Sequence, residues 1–124
     1  METIKSALLI DNNDFDNFIN LKLLRSHGVT NVILFNEANS ALAYLKATKV
    51  VYQLIFIEIN IPNGYSFIDN FCELDLGKTQ GELMVLTSTL VDSFIKDTMD
   101  KRNIICLNKP LTIEKILPHV KLCN

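Results

Sequence analysis

The chain has 124 residues, 48% of them apolar, and a formal net charge of -2. That is enough for the full core of one domain and excludes disorder, while mild acidity without any Lys/Arg run excludes a nucleic-acid-binding surface. Cys72, Cys106 and Cys123 are odd in number, widely spaced and without a CxxC, which predicts reduced thiols rather than a disulfide framework or a zinc site.

The apolar run Ala7 to Ile10 is too short for a signal-peptide core and reads as a buried strand; Asp11-Asn12-Asn13-Asp14 follows at its end. No stretch approaches a membrane span, so a soluble, cytoplasmic protein is expected. A helix is predicted from Asp14 to about His27, with Asp14 as N-cap, Asp16 in the first turn and Gly28 as the stop. Phe15, Ile19 and Leu23 form its i, i+4, i+8 stripe. Phe18 and Leu21 fall on the opposite side, as a small docking patch or as scattered surface apolars. Asn31 to Phe35 is the next strand, and Glu37 to Lys46 a helix with Ala38, Ala41, Leu42 and Leu45 on one face.

The stretch Tyr52 to Phe67 organises the rest. Leu54-Ile55-Phe56-Ile57, stopped by Pro62, Asn63 and Gly64, reads as a strand buried on both faces, and Glu58 at its carboxyl end does nothing for a core. A helix through Phe67, Phe71 and Leu74 comes next, then a polar loop from Asp75 to Glu82. Leu83 to Leu86 is the fourth strand and runs into Thr87-Ser88-Thr89. A helix carries Phe94, Ile95 and Met99. Asn103 to Leu107 is the fifth strand, followed by Asn108-Lys109-Pro110. The last helix starts near Thr112 with Ile113, Ile116, Leu117 and Val120 facing in, and Pro118 ends its regular part.

Strands alternating with helices over short connections predict an α/β, three-layer (βα)5 fold. Its parallel five-stranded sheet would be covered on both faces, in the flavodoxin-like order 2-1-3-4-5. In that order the first and third strands are neighbours where strand order reverses. Asp11 and Glu58 then face each other at the carboxyl edge, with Thr87 and Lys109 bordering the same cleft. Carboxylates at that spot can hold Mg²⁺, and Lys109 can neutralise Glu58 or pair with a phosphoryl oxygen; a plain salt bridge is the simpler outcome.

The pieces LLIDNND, LIFIEINIP, VLTS and LNKPLT, in this order and spacing, resemble the receiver domain of two-component response regulators over about Lys5 to Leu122. The resemblance implies an aspartate at the end of the third strand that takes a phosphoryl group from a histidine kinase. It implies an acidic cluster after the first strand that binds Mg²⁺, and a Thr or Ser and a Lys that grip the phosphoryl oxygens. It also implies a cis peptide before Pro110.

The chain departs from that pattern at the chemical positions. Glu58 stands at the phosphoacceptor place, one methylene longer than Asp, and a misplacement of about 1 Å can cost on the order of a hundredfold in rate. Asn12 and Asn13 dilute the acidic cluster behind Asp11. Asn60 sits where the family uses a main-chain carbonyl as a metal ligand, but the loop from Pro62 to Gly64 is shorter than the family's. Cys106 replaces the aromatic residue of the family's switch and reads as a small buried thiol or a redox sensor.

The expectation is therefore one receiver-like domain without an output domain, a pseudo-receiver and not an enzyme. Its phosphorylation would be impaired or absent, and it would act through contacts with a histidine kinase or other signalling protein as a monomer or homodimer. It would use no cofactor, or weakly bound Mg²⁺ at Asp11, Glu58 and Asn60. Glu58 paired with Lys109 would imitate a phosphoaspartate only in part, since a phosphoryl group carries about -1.5 to -2 charge. A phosphorylation-competent receiver is the alternative. A Mg²⁺-dependent phosphotransfer or hydrolase domain would want a second Asp where Asn13 stands. A flavin module would need a Gly/Ser/Thr-rich loop where the chain has DNND.

Overall fold

A computed structural model describes residues 2–87 and 93–123. Ser88 and Thr89, expected after the fourth strand, lie outside the described residues. Five parallel strands form one sheet: β1 (Ser6–Ile10), β2 (Asn31–Phe35), β3 (Leu54–Glu58), β4 (Glu82–Thr87) and β5 (Ile105–Asn108), in the order β2-β1-β3-β4-β5. They alternate with α1 (Asp14–Arg25), α2 (Ala38–Ala47), α3 (Gly64–Glu73), α4 (Ser93–Lys101) and the single turn α5 (Ile113–Ile116). This is the flavodoxin-like arrangement that the alternation predicts.

Every residue of β1 and β3 is buried, because both strands are central and covered above and below, whereas the edge strands β2 and β5 are half-exposed. Side chains alternate between two cores, as the two-residue period of a strand requires. Leu8, Ile10, Ile55 and Ile57 meet Ala41 and Leu45 of α2, Phe67 and Phe71 of α3, and Met99 of α4. Ala7, Leu9, Leu54 and Phe56 meet Leu21 and Leu24 of α1 and Ile116 of α5. Register places Ile10 beside Ile57 and Thr87 beside Asn108, so the carboxyl ends of the strands share one edge.

Local chemistry corrects several expectations. The N-cap of α1 is Asn13, not Asp14: the Asn13 side chain accepts from the Asp16 N–H at 3.1 Å. Gly28 takes φ +88° after α1, and a Cβ there would also press on Cys123.

The face of α1 is rotated from the expected one. Phe15 is 70% exposed and Ile19 47%, while Leu21, assigned to the outside, is buried with Asn17, Asn20 and Leu24. Asn17 explains the rotation. Its carboxamide N–H groups reach the carbonyls of Asp11 and Phe35, both at 3.0 Å, and the Phe35 carbonyl also accepts from the Asp11 N–H at 3.1 Å, so Asn17 ties α1 to the ends of both β1 and β2.

Leu74 and Leu117 are likewise exposed, each falling just beyond the last regular turn of its helix. Thr112 is the N-cap residue of α5 without a side-chain cap bond, and the helix stops at Ile116, two residues before Pro118. The loop after α3 contains a 3₁₀ turn at Leu76–Lys78, and Glu82 already belongs to β4. The fifth strand begins at Ile105 and includes Asn108, because Asn103 turns with φ +57°.

Candidate functional site

Three acidic side chains converge on one ammonium at the carboxyl edge. Lys109 Nζ lies 2.6 Å from Asp11 Oδ2, 2.7 Å from Asp16 Oδ2 and 3.3 Å from Glu58 Oε1. Asp11 follows β1 directly and is 2% exposed; Glu58 ends β3 and is 4% exposed. Each of these two carboxylates is also held by a backbone donor two residues ahead. The Asn13 N–H reaches Asp11 Oδ1 at 2.9 Å, and the Asn60 N–H reaches Glu58 Oε2 at 3.1 Å. Such short-range bonds fix the rotamers before any distant partner arrives.

Lys109 is fixed from its own side. Its N–H donates to the Thr87 carbonyl at 2.8 Å, its peptide to Pro110 is cis, and the Lys115 ammonium spans the carbonyls of Asn108 and Pro110 at 2.8 and 2.7 Å. Burial works against a charged Lys109, but the hydrogen bonds of Asp11 and Asp16, helped by the charges of Asp11 and Glu58, outweigh it. The group therefore holds its proton more tightly than an ordinary lysine.

Of the residues singled out from the sequence, Lys109 is in direct contact with both Asp11 and Glu58. Thr87 is buried at the end of β4 and joins Lys109 through its main chain. Asn12 is exposed and stands apart from the ammonium, lining a cleft of about 350 Å³ with Asn36, Asn39, Pro62 and Asn63. Asn60 is exposed and meets Glu58 through its backbone N–H. Cys106 lies half-buried on β5 beside Val85, and burial, then the charges of Asp100 and Glu58, pushes its thiol up, away from the reactive thiolate.

Asp16 is the member that sequence reasoning missed. From the sequence alone Asp16 suits only the positive end of a helix. The signal was available in its position, since a helix starting directly after a strand end aims its first turn back at that edge. Gly64 closes the other side: a Cβ there would come within 2.5 Å of the Ile59 carbonyl, so only glycine lets α3 start this close to the end of β3.

The arrangement does not suit Mg²⁺, which demands about 2.0–2.1 Å to its ligands. The carboxylate oxygens that face inward surround an ammonium at 2.6–3.3 Å, and the others accept from backbone N–H groups. With Lys109 between these carboxylates, no group of three His, Cys, Asp or Glu among the described residues is placed to hold a metal ion. No helix among them is long and apolar enough to cross a membrane.

No protein-family model matches the sequence, and no curated protein does. Solved structures do. A two-component response regulator from Cytophaga hutchinsonii superposes with a TM-score of 0.82 at 28% identity, over 94% of each chain. A response regulator receiver protein from Dyadobacter fermentans gives 0.75 at 27% identity, over 90% of this chain and 92% of its own. The receiver domain of an Arabidopsis thaliana histidine kinase, solved with Mg²⁺ and BeF₃⁻, gives 0.71 at 18% identity, over 90% of this chain and 85% of its own.

Proposed function

We propose that this chain, whose fold is that of the response regulator receivers, serves two-component signal transduction as a receiver-like domain whose phosphorylation is impaired or absent. It works by protein contacts and not as an enzyme, in the cytoplasm, with a histidine kinase or another signalling protein as partner. The observation that carries this reading is the state of Glu58. One of its oxygens accepts from the Asn60 N–H and the other faces the Lys109 ammonium. A nucleophile needs a free lone pair in line with the donor and beside a metal. Glu58 has the wrong length, and an internal cation already stands in its pocket.

The test is intact-mass analysis after incubation with Mg²⁺ and a small acyl phosphate. We expect the mass to stay unchanged. A stoichiometric phosphoryl adduct that disappears in Glu58→Gln would overturn the reading. It would establish the second one, a phosphorylation-competent receiver. That alternative draws on the shared location of Asp11, Glu58 and Lys109 and on the Mg²⁺ and BeF₃⁻ bound by the Arabidopsis thaliana receiver.

A further inference from the structure

We propose that Asp16 completes, with Asp11 and Glu58, a three-carboxylate cage whose resident cation is the chain's own Lys109 ammonium, so that the protein needs no divalent metal at this edge. This deepens the functional reading above and rests on it only in taking Glu58 as an unmodified carboxylate.

The cage is built independently of the cation it holds. Asp11 and Glu58 are each oriented by a backbone N–H. Asp16 is carried by the first turn of α1, and Asn17 ties that turn to the Asp11 and Phe35 carbonyls while the Asn13 side chain caps it. Taking out the lysine would leave three carboxylates aimed at one point. Three negative charges against one positive leave two uncompensated with Lys109 present and three without it. Carboxylates this close, two of them nearly sealed from water, repel strongly enough to demand a cation.

Lys109 sits closer to Asp11 and Asp16 than to Glu58. Asp16 therefore draws the ammonium toward α1 and into the mouth of the cage. A groove of about 340 Å³ lined by Asp16, Ile19, Asn20, Lys109, Pro110 and Leu111 opens that mouth to solvent. The distances also choose the ion that would replace it. Ca²⁺ accepts oxygens at about 2.3–2.6 Å, so Asp11 and Asp16 at 2.6 and 2.7 Å need close by only a few tenths of an ångström, and Glu58 at 3.3 Å by about 0.7–1.0 Å. Mg²⁺ would require a larger contraction of all three groups.

The experiment is calorimetric titration with CaCl₂ and MgCl₂, with thermal midpoints in EDTA and in millimolar cation. It compares the unmodified chain, Lys109→Met, Lys109→Arg, and Lys109→Met combined with Asp16→Asn. The unmodified chain and Lys109→Arg are expected to show no saturable uptake and no change of midpoint with EDTA. Lys109→Met is expected to lose stability in EDTA and recover it in Ca²⁺, with Ca²⁺ bound at least about tenfold more tightly than by the unmodified chain and more tightly than Mg²⁺. Adding Asp16→Asn is expected to weaken that binding by about tenfold.

The proposal is overturned if the unmodified chain binds Ca²⁺ as well as Lys109→Met does. It is also overturned if Lys109→Met, folded or unfolded in EDTA, does not respond to Ca²⁺, or if Asp16→Asn leaves the affinity of Lys109→Met unchanged. A phosphoryl adduct on Glu58 with all the cation results as expected would remove the functional reading and leave the cage standing.

Discussion

Helices α1 and α3 cover opposite faces of one sheet and are held there by different means. Helix α3 buries Phe67, Ile68 and Phe71, with the two phenyl rings stacked at 6.1 Å between centroids. Helix α1 buries two asparagines beside Leu21 and Leu24. It leaves Phe15, Phe18 and Ile19 outside, with the Lys22 ammonium 5.1 Å over the Phe18 ring. Apolar area fixes α3, whereas directional hydrogen bonds from Asn17 fix the first turn of α1. Area tolerates small slips along a helix; a bond to two particular carbonyls does not. The helix that delivers Asp16 to the site is thus the one whose rotation is set by hydrogen bonding.

The comparison is broken or sharpened by four measurements, beginning with the largest effect. Phe67→Ala removes a buried ring from the α3 side and is expected to lower unfolding free energy by about 3–5 kcal/mol in chemical denaturation. A loss below about 1 kcal/mol would mean that α3 is not held by area. Asn17→Leu makes the α1 pattern more apolar yet is expected to destabilise, by about 1–3 kcal/mol, because the Asp11 and Phe35 carbonyls lose a buried donor. A stabilised Asn17→Leu would show instead that burial governs both helices.

The third measurement is alkaline titration. Lys109 binds its proton more tightly folded than unfolded, so its contribution is complete below the ordinary lysine value of 10.5 and is lost only as pH rises past it. The Tyr52 hydroxyl, 2.6 Å from that of Tyr44, is pushed up to about 12 by burial and by that hydrogen bond. Its neutral form is favoured in the fold, and its contribution is lost between pH 10 and 12, offset in part by Tyr44, whose hydroxyl the same hydrogen bond pushes down. Denaturation midpoints are expected to be level near neutrality and to fall above about pH 10, with a shallower fall in Lys109→Met and in Tyr52→Phe. A decline that begins below about pH 9 would contradict both assignments. Phe15→Ser is expected to have the smallest effect, within about 0.5 kcal/mol, since the ring already faces solvent; a larger loss would restore Phe15 to the core.

Much of the fold was legible because its signals are local. Four apolar residues ahead of Asp11 and four ahead of Glu58 read as buried strands because the runs are short and bounded by turn residues, and the stop signals after them place both acids at strand ends. Lys109 was legible in the same way, after the fifth strand and before Pro110. Helix α1 was misread because a periodicity argument counts apolar residues and cannot see that the Asn17 carboxamide reaches two main-chain carbonyls at the sheet edge. The cap was misplaced by one residue because Asn13 and Asp14 are both good caps and only the position of the Asp16 N–H separates them.

By itself, then, the amino-acid sequence determined the alternation of strands and helices, the two fully buried central strands, and the placing of Asp11, Glu58 and Lys109 along one edge. These follow from period, turn chemistry and burial within a dozen residues. Only the tertiary structure decided the rotation of α1, the entry of Asp16 into the cage, and the sharing of one ammonium among three carboxylates. Those depend on Phe35, brought in from a separate strand, and on a lysine 93 residues from Asp16 along the chain. Distances between such distant groups are set by how the layers pack, and no local pattern encodes them.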